Sequence, residues 1–92
     1  MESKTLSAIL ESSDGFSKKG STFTTSEGHR VTFYLGETIG AMPVQEVLTV
    51  TLEDGYVRLG QKEKEVFATY AAVYVVEVKG TTAPGERKTG FA

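Results

Sequence analysis

The sequence contains no cysteine and no asparagine, and its only histidine is His29. Without cysteine the chain can form no disulfide, zinc–thiolate site or iron–sulfur cluster, and it has no thiol nucleophile. Without asparagine it has no N-glycosylation sequon. His29 follows Gly28 beside a predicted turn, so we expect a solvated turn residue rather than a metal ligand. We therefore expect neither a metal site nor a cofactor.

Long apolar runs are missing as well. No stretch approaches the roughly twenty apolar residues that span a bilayer, and the residues from Met1 to Leu6 do not resemble a secretory signal. From these features we expect a cytoplasmic protein with no membrane partner. The net charge of −2 argues against the broad positive field on which non-specific nucleic-acid binding depends. Ninety-two residues, of which 39% are hydrophobic, predict one folded domain.

The clearest pattern is a predicted β-hairpin around Asp54-Gly55. Apolar residues alternate over positions 48–52 in the period of a strand, with Leu48, Val50 and Leu52 on one face. Asp-Gly favours a two-residue type I′ turn, because both central residues of that turn need a positive φ. The resulting register pairs Glu53 with Tyr56, Leu52 with Val57, Thr51 with Arg58, and Val50 with Leu59. This register places the aliphatic residues on one face and the polar residues on the other.

A second hairpin is predicted to follow the first. The charged residues 61–64 form its loop and residues 66–70 its return strand. The register pairs Gly60 with Glu65, Leu59 with Val66, Val57 with Ala68, Arg58 with Phe67, and Tyr56 with Thr69. The predicted core face then carries Leu52, Val57, Leu59, Val66 and Ala68. Ala71-Ala72 indicates a break or a short helical turn before a final strand at residues 73–78.

The first half of the chain has weaker signals. Strands are predicted at residues 22–25 and 30–35, joined by a three-residue loop that places Phe23 opposite Val31, with Gly28 in the left-handed conformation. The N-terminal apolar residues fit either a helical face or a strand, and we favour a short helix. We expect one domain over residues 1–79, in which the N-terminal segment 1–21 is the least defined part. A disordered tail is predicted at residues 80–92.

The order of these features resembles the Sm-like (Hfq-type) barrel family. Residues 52–59 and 66–73 are similar to its bent strand, acidic turn, apolar strand, aromatic-ending strand and helical turn, and residues 30–36 are similar to its first strand. The resemblance, over residues 29–78, implies a mainly β fold. The implied architecture is a small five- to six-stranded antiparallel SH3-like or Sm-like barrel, which a short N-terminal helix would suit. However, Tyr70 is followed by Ala71-Ala72, where the bacterial signature has Lys-His, and the acidic turn has no asparagine.

These patterns predict a non-catalytic binding or assembly module. Tyr56, Arg58 and Phe67 share the outer face of the second hairpin, where they suit the stacking of a base or the gripping of a peptide. The alternative is that Phe67 lies under the N-terminal segment. The acidic residues lie in turns, where we expect solvated charge rather than acid–base catalysis, so we do not expect an enzyme.

The final strand is apolar on both faces up to Val76, which is typical of a central strand or of an edge that pairs with another copy. The residues predicted for self-association are Val73, Val75, Val76 and Val78. Coverage of this strand by the N-terminal segment is the alternative. The expected partner is therefore a protein or a second copy of the chain. An oligomeric Sm-like nucleic-acid-binding protein is the alternative function.

Overall fold

A computed structural model describes residues 1–36 and 41–80 of the chain. Its elements are helix α1 (Ser3–Ser12) and strands β1 (Phe16–Lys19), β2 (Thr22–Thr25), β3 (His29–Leu35), β4 (Met42–Val44), β5 (Thr49–Leu52), β6 (Tyr56–Gly60), β7 (Glu65–Thr69) and β8 (Val73–Gly80). A 3-10 turn, Tyr70–Ala72, joins β7 to β8. The strand β8 ends at Gly80, and the predicted tail beyond it lies outside the described residues.

The prediction of a mainly β, antiparallel fold with a short N-terminal helix is confirmed. The strands form a five-stranded sheet in the order β1-β2-β5-β6-β7 and a three-stranded sheet in the order β4-β3-β8. The described residues form eight strands because β1 and β4, which the sequence pattern did not reveal, add one edge to each sheet. No strand ladder joins the two sheets within the described part of the chain.

Both predicted hairpins are confirmed in the predicted register. Strand β5 pairs with β6 so that Leu52 lies opposite Val57, and β6 pairs with β7 so that Arg58 lies opposite Phe67. At the turn between β5 and β6, Gly55 has a φ of 90°, a left-handed conformation that favours glycine. The predicted helical turn after β7 is also present.

The N-terminal segment is the favoured helix, not a strand. Leu6 and Leu10 lie one turn apart on α1 and are both buried, as the spacing of a helical face requires. Glu11 in its last turn pairs with Lys18 of β1 at 2.7 Å. In the described ranges, no helix is long and apolar enough to cross a membrane.

The predicted pairing of Phe23 with Val31 is wrong. Phe23 of β2 lies opposite Val50 of β5, and Val31 of β3 lies opposite Val78 of β8. The loop between β2 and β3 carries the chain from one sheet to the other. Gly28 in this loop does adopt the expected left-handed conformation, with a φ of 87°. Alternating residues identify a strand but do not identify its partner, which explains the error.

The segment between β4 and β5 bridges the two sheets. Glu46 has a φ of 54°, and the resulting change of direction buries Val47 while Leu48 remains 44% exposed. The amide of Val47 donates to the Val31 carbonyl at 3.0 Å, and the amide of Leu48 donates to the Gly60 carbonyl at 2.7 Å. The strand alternation predicted from Leu48 therefore begins only at Thr49.

The hydrophobic core lies between the two sheets and α1. Its buried residues are Leu6, Leu10, Phe23, Val31, Phe33, Leu35, Val44, Val47, Val50, Val57, Leu59 and Val73. Of the predicted core face, Val57 and Leu59 are fully buried, whereas Leu52, Val66 and Ala68 are partly buried and pack against the core. Because side chains alternate between the two faces of a strand, the opposite face of the β5–β6–β7 hairpins points away from the core.

Candidate functional site

Tyr56, Arg58 and Phe67 lie together on the outer side of the five-stranded sheet, and we call this surface the aromatic–arginine face. The centroids of the Tyr56 and Phe67 rings are 6.0 Å apart and their planes are inclined by 46°. The Cζ atom of Arg58 lies 5.5 Å from the Phe67 centroid, which is within the range of a cation–π contact. The hairpin register thus brings all three predicted residues into one surface.

The rings of this face are open to solvent within the described chain. Phe67 is 56% exposed and Tyr56 is 36% exposed. The N-terminal helix directs Leu6 and Leu10 into the core and does not cover Phe67. Since single exposed apolar residues are common, the informative feature is that these two rings are adjacent and flank a guanidinium group.

The charge of Arg58 is largely balanced by its neighbours. Its Nη2 atom lies 3.0 Å from Oε2 of Glu53, the residue that precedes the turn of the first hairpin. The pKa of the Arg58 guanidinium is raised chiefly by the Tyr56 hydroxyl, against the opposing effect of desolvation, and Glu53 and Glu65 raise it further. The face therefore presents a fixed positive group with adjacent acids and has little net positive charge.

Tyr70 holds the backbone beneath this ion pair. Its hydroxyl donates a hydrogen bond of 2.6 Å to the Glu53 carbonyl oxygen. Burial raises the pKa of the Tyr70 phenol, and the hydrogen bond to Glu53 acts in the opposite direction. The contact links the 3-10 turn to the residue that follows β5, so it holds the backbone of Glu53, whose carboxylate pairs with Arg58.

A strip of hydroxyl groups adjoins the aromatic–arginine face across the same sheet. It consists of Thr22 and Thr24 on β2 and of Thr49 and Thr51 on β5. The Oγ1 atoms of Thr22 and Thr51 are 3.0 Å apart and share a hydrogen bond. Gly60 leaves room for the Thr49 side chain, because a Cβ atom at position 60 would collide with Oγ1 of Thr49. The sheet therefore offers a continuous surface from its threonines to its aromatic rings.

The residues predicted for self-association lie on β8, an edge strand of the three-stranded sheet. Val75 is 40% exposed, whereas Val73 is buried in the core and Val76 and Val78 are partly buried against it. Among the four valines, Val75 therefore presents the most side-chain surface. The N-terminal amino group of Met1 donates to the Val73 carbonyl at 2.8 Å, at the start of the strand.

The outer face of the three-stranded sheet carries a groove that the sequence pattern did not predict. This polar groove has a volume of about 190 Å³ and is lined mainly by Arg30, Thr32, Tyr34, Glu46, Glu77 and Lys79. Alternating side chains at positions 30, 32 and 34 of the predicted strand were the available signal. The position of Glu46 in the groove wall could not be predicted from the sequence pattern, because it depends on the path of the segment that bridges the two sheets.

His29 is partly buried rather than a solvated turn residue. It begins β3, and its ring lies near Gly80 and near the Cβ position that a side chain at Gly15 would occupy. Its Nδ1 atom is buried and has no hydrogen-bond partner within the part of the chain that the structure describes. In those same residues, no three side chains of histidine, aspartate or glutamate gather into a metal-binding group.

Comparison with family models, curated proteins and solved structures finds no match to this chain. The resemblance to Sm-like and SH3-like barrels therefore stays a prediction, and the function is inferred from the surfaces of the described residues.

Proposed function

We propose that this protein is a non-catalytic binding module that holds a segment of a protein partner on the aromatic–arginine face. The observation that carries the proposal is the pair of exposed rings, Tyr56 and Phe67, beside the guanidinium group of Arg58. Tyrosine and arginine are enriched among the residues that dominate the energy of protein interfaces. An apolar side chain of the partner packs on the rings, and its backbone carbonyls accept hydrogen bonds from Arg58 and the threonine strip.

The charge of the face favours a protein over a nucleic acid. Phosphate binding depends on cations that are free to replace counterions. Arg58 is instead paired with Glu53, and the nearby negative charge of Glu65 also stabilises the charged guanidinium group. Neutral, partly apolar surfaces with a compensated charge are typical of protein interfaces, so a nucleic acid is the weaker alternative.

The titratable groups support a binding role rather than catalysis. In the described chain, shifted pKa values are found for Glu11, Arg58 and Tyr70, and each shift has a local structural cause. Glu11 is paired with Lys18 on the surface, and Tyr70 donates to a backbone carbonyl. Acid–base catalysis needs groups whose pKa values are separated within a cleft, and these three groups do not form one.

The first test selects peptides from a random library on the immobilised wild-type protein. Binding of the selected peptides is then measured for the variants F67S and R58Q. Full burial of a phenylalanine contributes about 1.5–3 kcal/mol, so covering the exposed half of Phe67 contributes about 1 kcal/mol. We expect F67S to lose about fivefold in affinity or more, and R58Q to weaken binding as well.

Met42 provides a matched control for Phe67. It is 54% exposed, against 56% for Phe67, and it belongs to the other sheet. M42S therefore removes a similar apolar surface at a different place, and we expect it to bind the selected peptides as the wild type does. Equal losses in M42S and F67S would contradict the proposed site. Binding of single-stranded oligonucleotides that weakens steeply with salt would favour the alternative function.

Self-association is a second candidate function, favoured by the position of β8 at a sheet edge. An edge strand presents unpaired backbone groups, and the adjacent Tyr74 and Val75 are 43% and 40% exposed. Pairing of β8 with β8 of a second copy would satisfy that edge and cover both side chains. This proposal does not depend on the aromatic–arginine face.

Light scattering after size exclusion, at two protein concentrations, tests the second candidate. We expect a mass above that of one chain for the wild type and for F67S. V75K should have the mass of one chain, because a charge on an edge strand opposes pairing. A wild-type protein that has the mass of one chain at both concentrations would rule out self-association.

A further inference from the structure

The polar groove is separate from the aromatic–arginine face, and it adjoins the β8 edge proposed for self-association. Its floor is β3, with Arg30, Thr32 and Tyr34 on the outer side, and one wall is β8, with Glu77 and Lys79. The other wall is Gln45 and Glu46 of the bridging segment. A volume of about 190 Å³ is roughly that of six water molecules, so the groove suits a small molecule rather than a folded partner.

The groove has three rows of side chains because β3 and β8 are paired antiparallel. Arg30 lies opposite Lys79 in the first row, and Thr32 lies opposite Glu77 in the second. Tyr34 occupies the third row, and its hydroxyl donates a long hydrogen bond of 3.5 Å to Oε1 of Glu77. The first and third rows are separated by about 13 Å, which is four residues of an antiparallel strand.

The first row points to an anion. Like charges placed directly opposite each other destabilise an antiparallel pair, and Arg30 and Lys79 are such a pair. Within residues 1–36 and 41–80, Lys18 and Arg58 have acidic partners, whereas the other lysines and Arg30 take part in no ion pair. Among these unpaired cations, Arg30 and Lys79 lie directly opposite each other on paired strands. A phosphate or carboxylate group between these two cations would replace the repulsion by charge-assisted hydrogen bonds.

The second and third rows point to hydroxyl groups and a hydrocarbon face on the same ligand. The carboxylates of Glu46 and Glu77 accept hydrogen bonds, and the hydroxyl of Thr32 both donates and accepts. The aromatic ring of Tyr34 offers an apolar surface at the far end. These same two carboxylates, near the centre of the groove, would repel a second anionic group, so the charge of the ligand is confined to one end.

We infer that the polar groove binds a small hydroxylated organic phosphate, of the sugar-phosphate class. Its phosphate lies between Arg30 and Lys79, its hydroxyls face Glu46 and Glu77, and its carbon skeleton lies against Tyr34. The wall at Glu46 is positioned before binding, because the side chain of Gln61 donates to the carbonyl of the adjacent Gln45 at 2.5 Å. The inference is independent of the proposed protein-binding function.

The test is an NMR titration of the full chain with glucose 6-phosphate, inorganic phosphate, glucose and gluconate as separate probes. We expect glucose 6-phosphate to shift the backbone amide signals of Arg30, Thr32 and Lys79 saturably at millimolar concentration. Inorganic phosphate should bind more weakly at the same residues, and glucose alone should produce no saturable shift. Gluconate, which carries a carboxylate and hydroxyls, should bind less tightly than glucose 6-phosphate.

Two variants separate the parts of the site. R30Q/K79Q should lose about tenfold or more in affinity for glucose 6-phosphate, since it removes the charge-assisted bonds. K19Q/K62Q removes the same charge from exposed positions outside the groove and should bind as the wild type does. E77Q should weaken the binding of glucose 6-phosphate more than that of inorganic phosphate, because it alters the hydroxyl-binding row.

Several outcomes would overturn the inference. Absence of a saturable shift with glucose 6-phosphate would exclude the site, as would equal binding by R30Q/K79Q and K19Q/K62Q. Equal affinities for inorganic phosphate and glucose 6-phosphate would exclude recognition of the hydroxyls. Tighter binding of gluconate would exclude the phosphate preference. All variants change exposed side chains, and a dispersed spectrum confirms that each is folded.

Discussion

Gly15 is required by the space around it rather than by its backbone conformation. It is buried, and it is not among the glycines with a positive φ. An added Cβ atom would lie 2.7 Å from Cγ1 of Val78, and 3.3 Å from both Cδ2 of His29 and Oγ of Ser13. These three neighbours belong to β8, to β3 and to the residue that follows α1, so an added methyl group would be opposed by separate parts of the fold.

We expect Gly15→Ala to destabilise the fold by about 1–2 kcal/mol. Over-packing of a filled site costs about 1–3 kcal/mol. Replacing glycine by alanine also restricts the unfolded chain, which offsets that loss by about 0.4–1 kcal/mol. For a domain of this size, the net change lowers the melting temperature by roughly 5–15 °C.

Urea unfolding followed by circular dichroism measures the effect in a double-mutant cycle with V78A. V78A removes the Cγ1 atom that opposes the new methyl group, so G15A should destabilise V78A by about 1 kcal/mol less than it destabilises the wild type. G55A is the control, because Gly55 has a φ of 90° and no atom within 4 Å of its Cβ position. G55A should lower the free energy of unfolding by the same amount with and without V78A. Additive effects of G15A and V78A would refute the argument from close approach.

Two further predictions concern side-chain contacts. Y70F removes the 2.6 Å hydrogen bond to the Glu53 carbonyl and should reduce the free energy of unfolding by about 1 kcal/mol in urea, whereas an unchanged value would mean that water replaces the hydroxyl fully. Lys18 lowers the folded-state pKa of Glu11 below its ordinary value of 4.5, so their pairing stabilises the fold above the unfolded pKa and is lost as the pH falls through the folded pKa. K18Q should therefore raise the NMR titration midpoint of the Glu11 carboxyl toward 4.5, and an unmoved midpoint would contradict the assigned cause.

The local part of the fold could be predicted from the sequence. The Asp54-Gly55 turn and the alternation on both sides of it were sufficient to place Leu52 opposite Val57 and Arg58 opposite Phe67. In a hairpin the partner strand is the next segment of the chain, so loop length and the two-residue period determine the register. The aromatic–arginine face follows from that register alone.

The ion pair and the solvent exposure of that face could not be predicted in the same way. The contact between Arg58 and Glu53 depends on side-chain conformations, and on the backbone position that Tyr70 maintains through its hydrogen bond. Exposure of Phe67 depends on where the N-terminal helix packs. A helical period indicates that α1 has an apolar face but does not indicate which sheet surface receives it.

The sequence by itself determined the mainly β class of the fold, the two consecutive hairpins and the three residues of the aromatic–arginine face. Tertiary structure decided that β2 pairs with β5 rather than with β3, and it formed the polar groove by turning the chain at Glu46. It also explains Gly15, because the close approach of Val78 leaves no room for a side chain there. The physical reason is that short-range periodicity and turn geometry act between neighbours in the chain. Sheet partners, groove walls and close approaches depend instead on segments that meet only in the folded core.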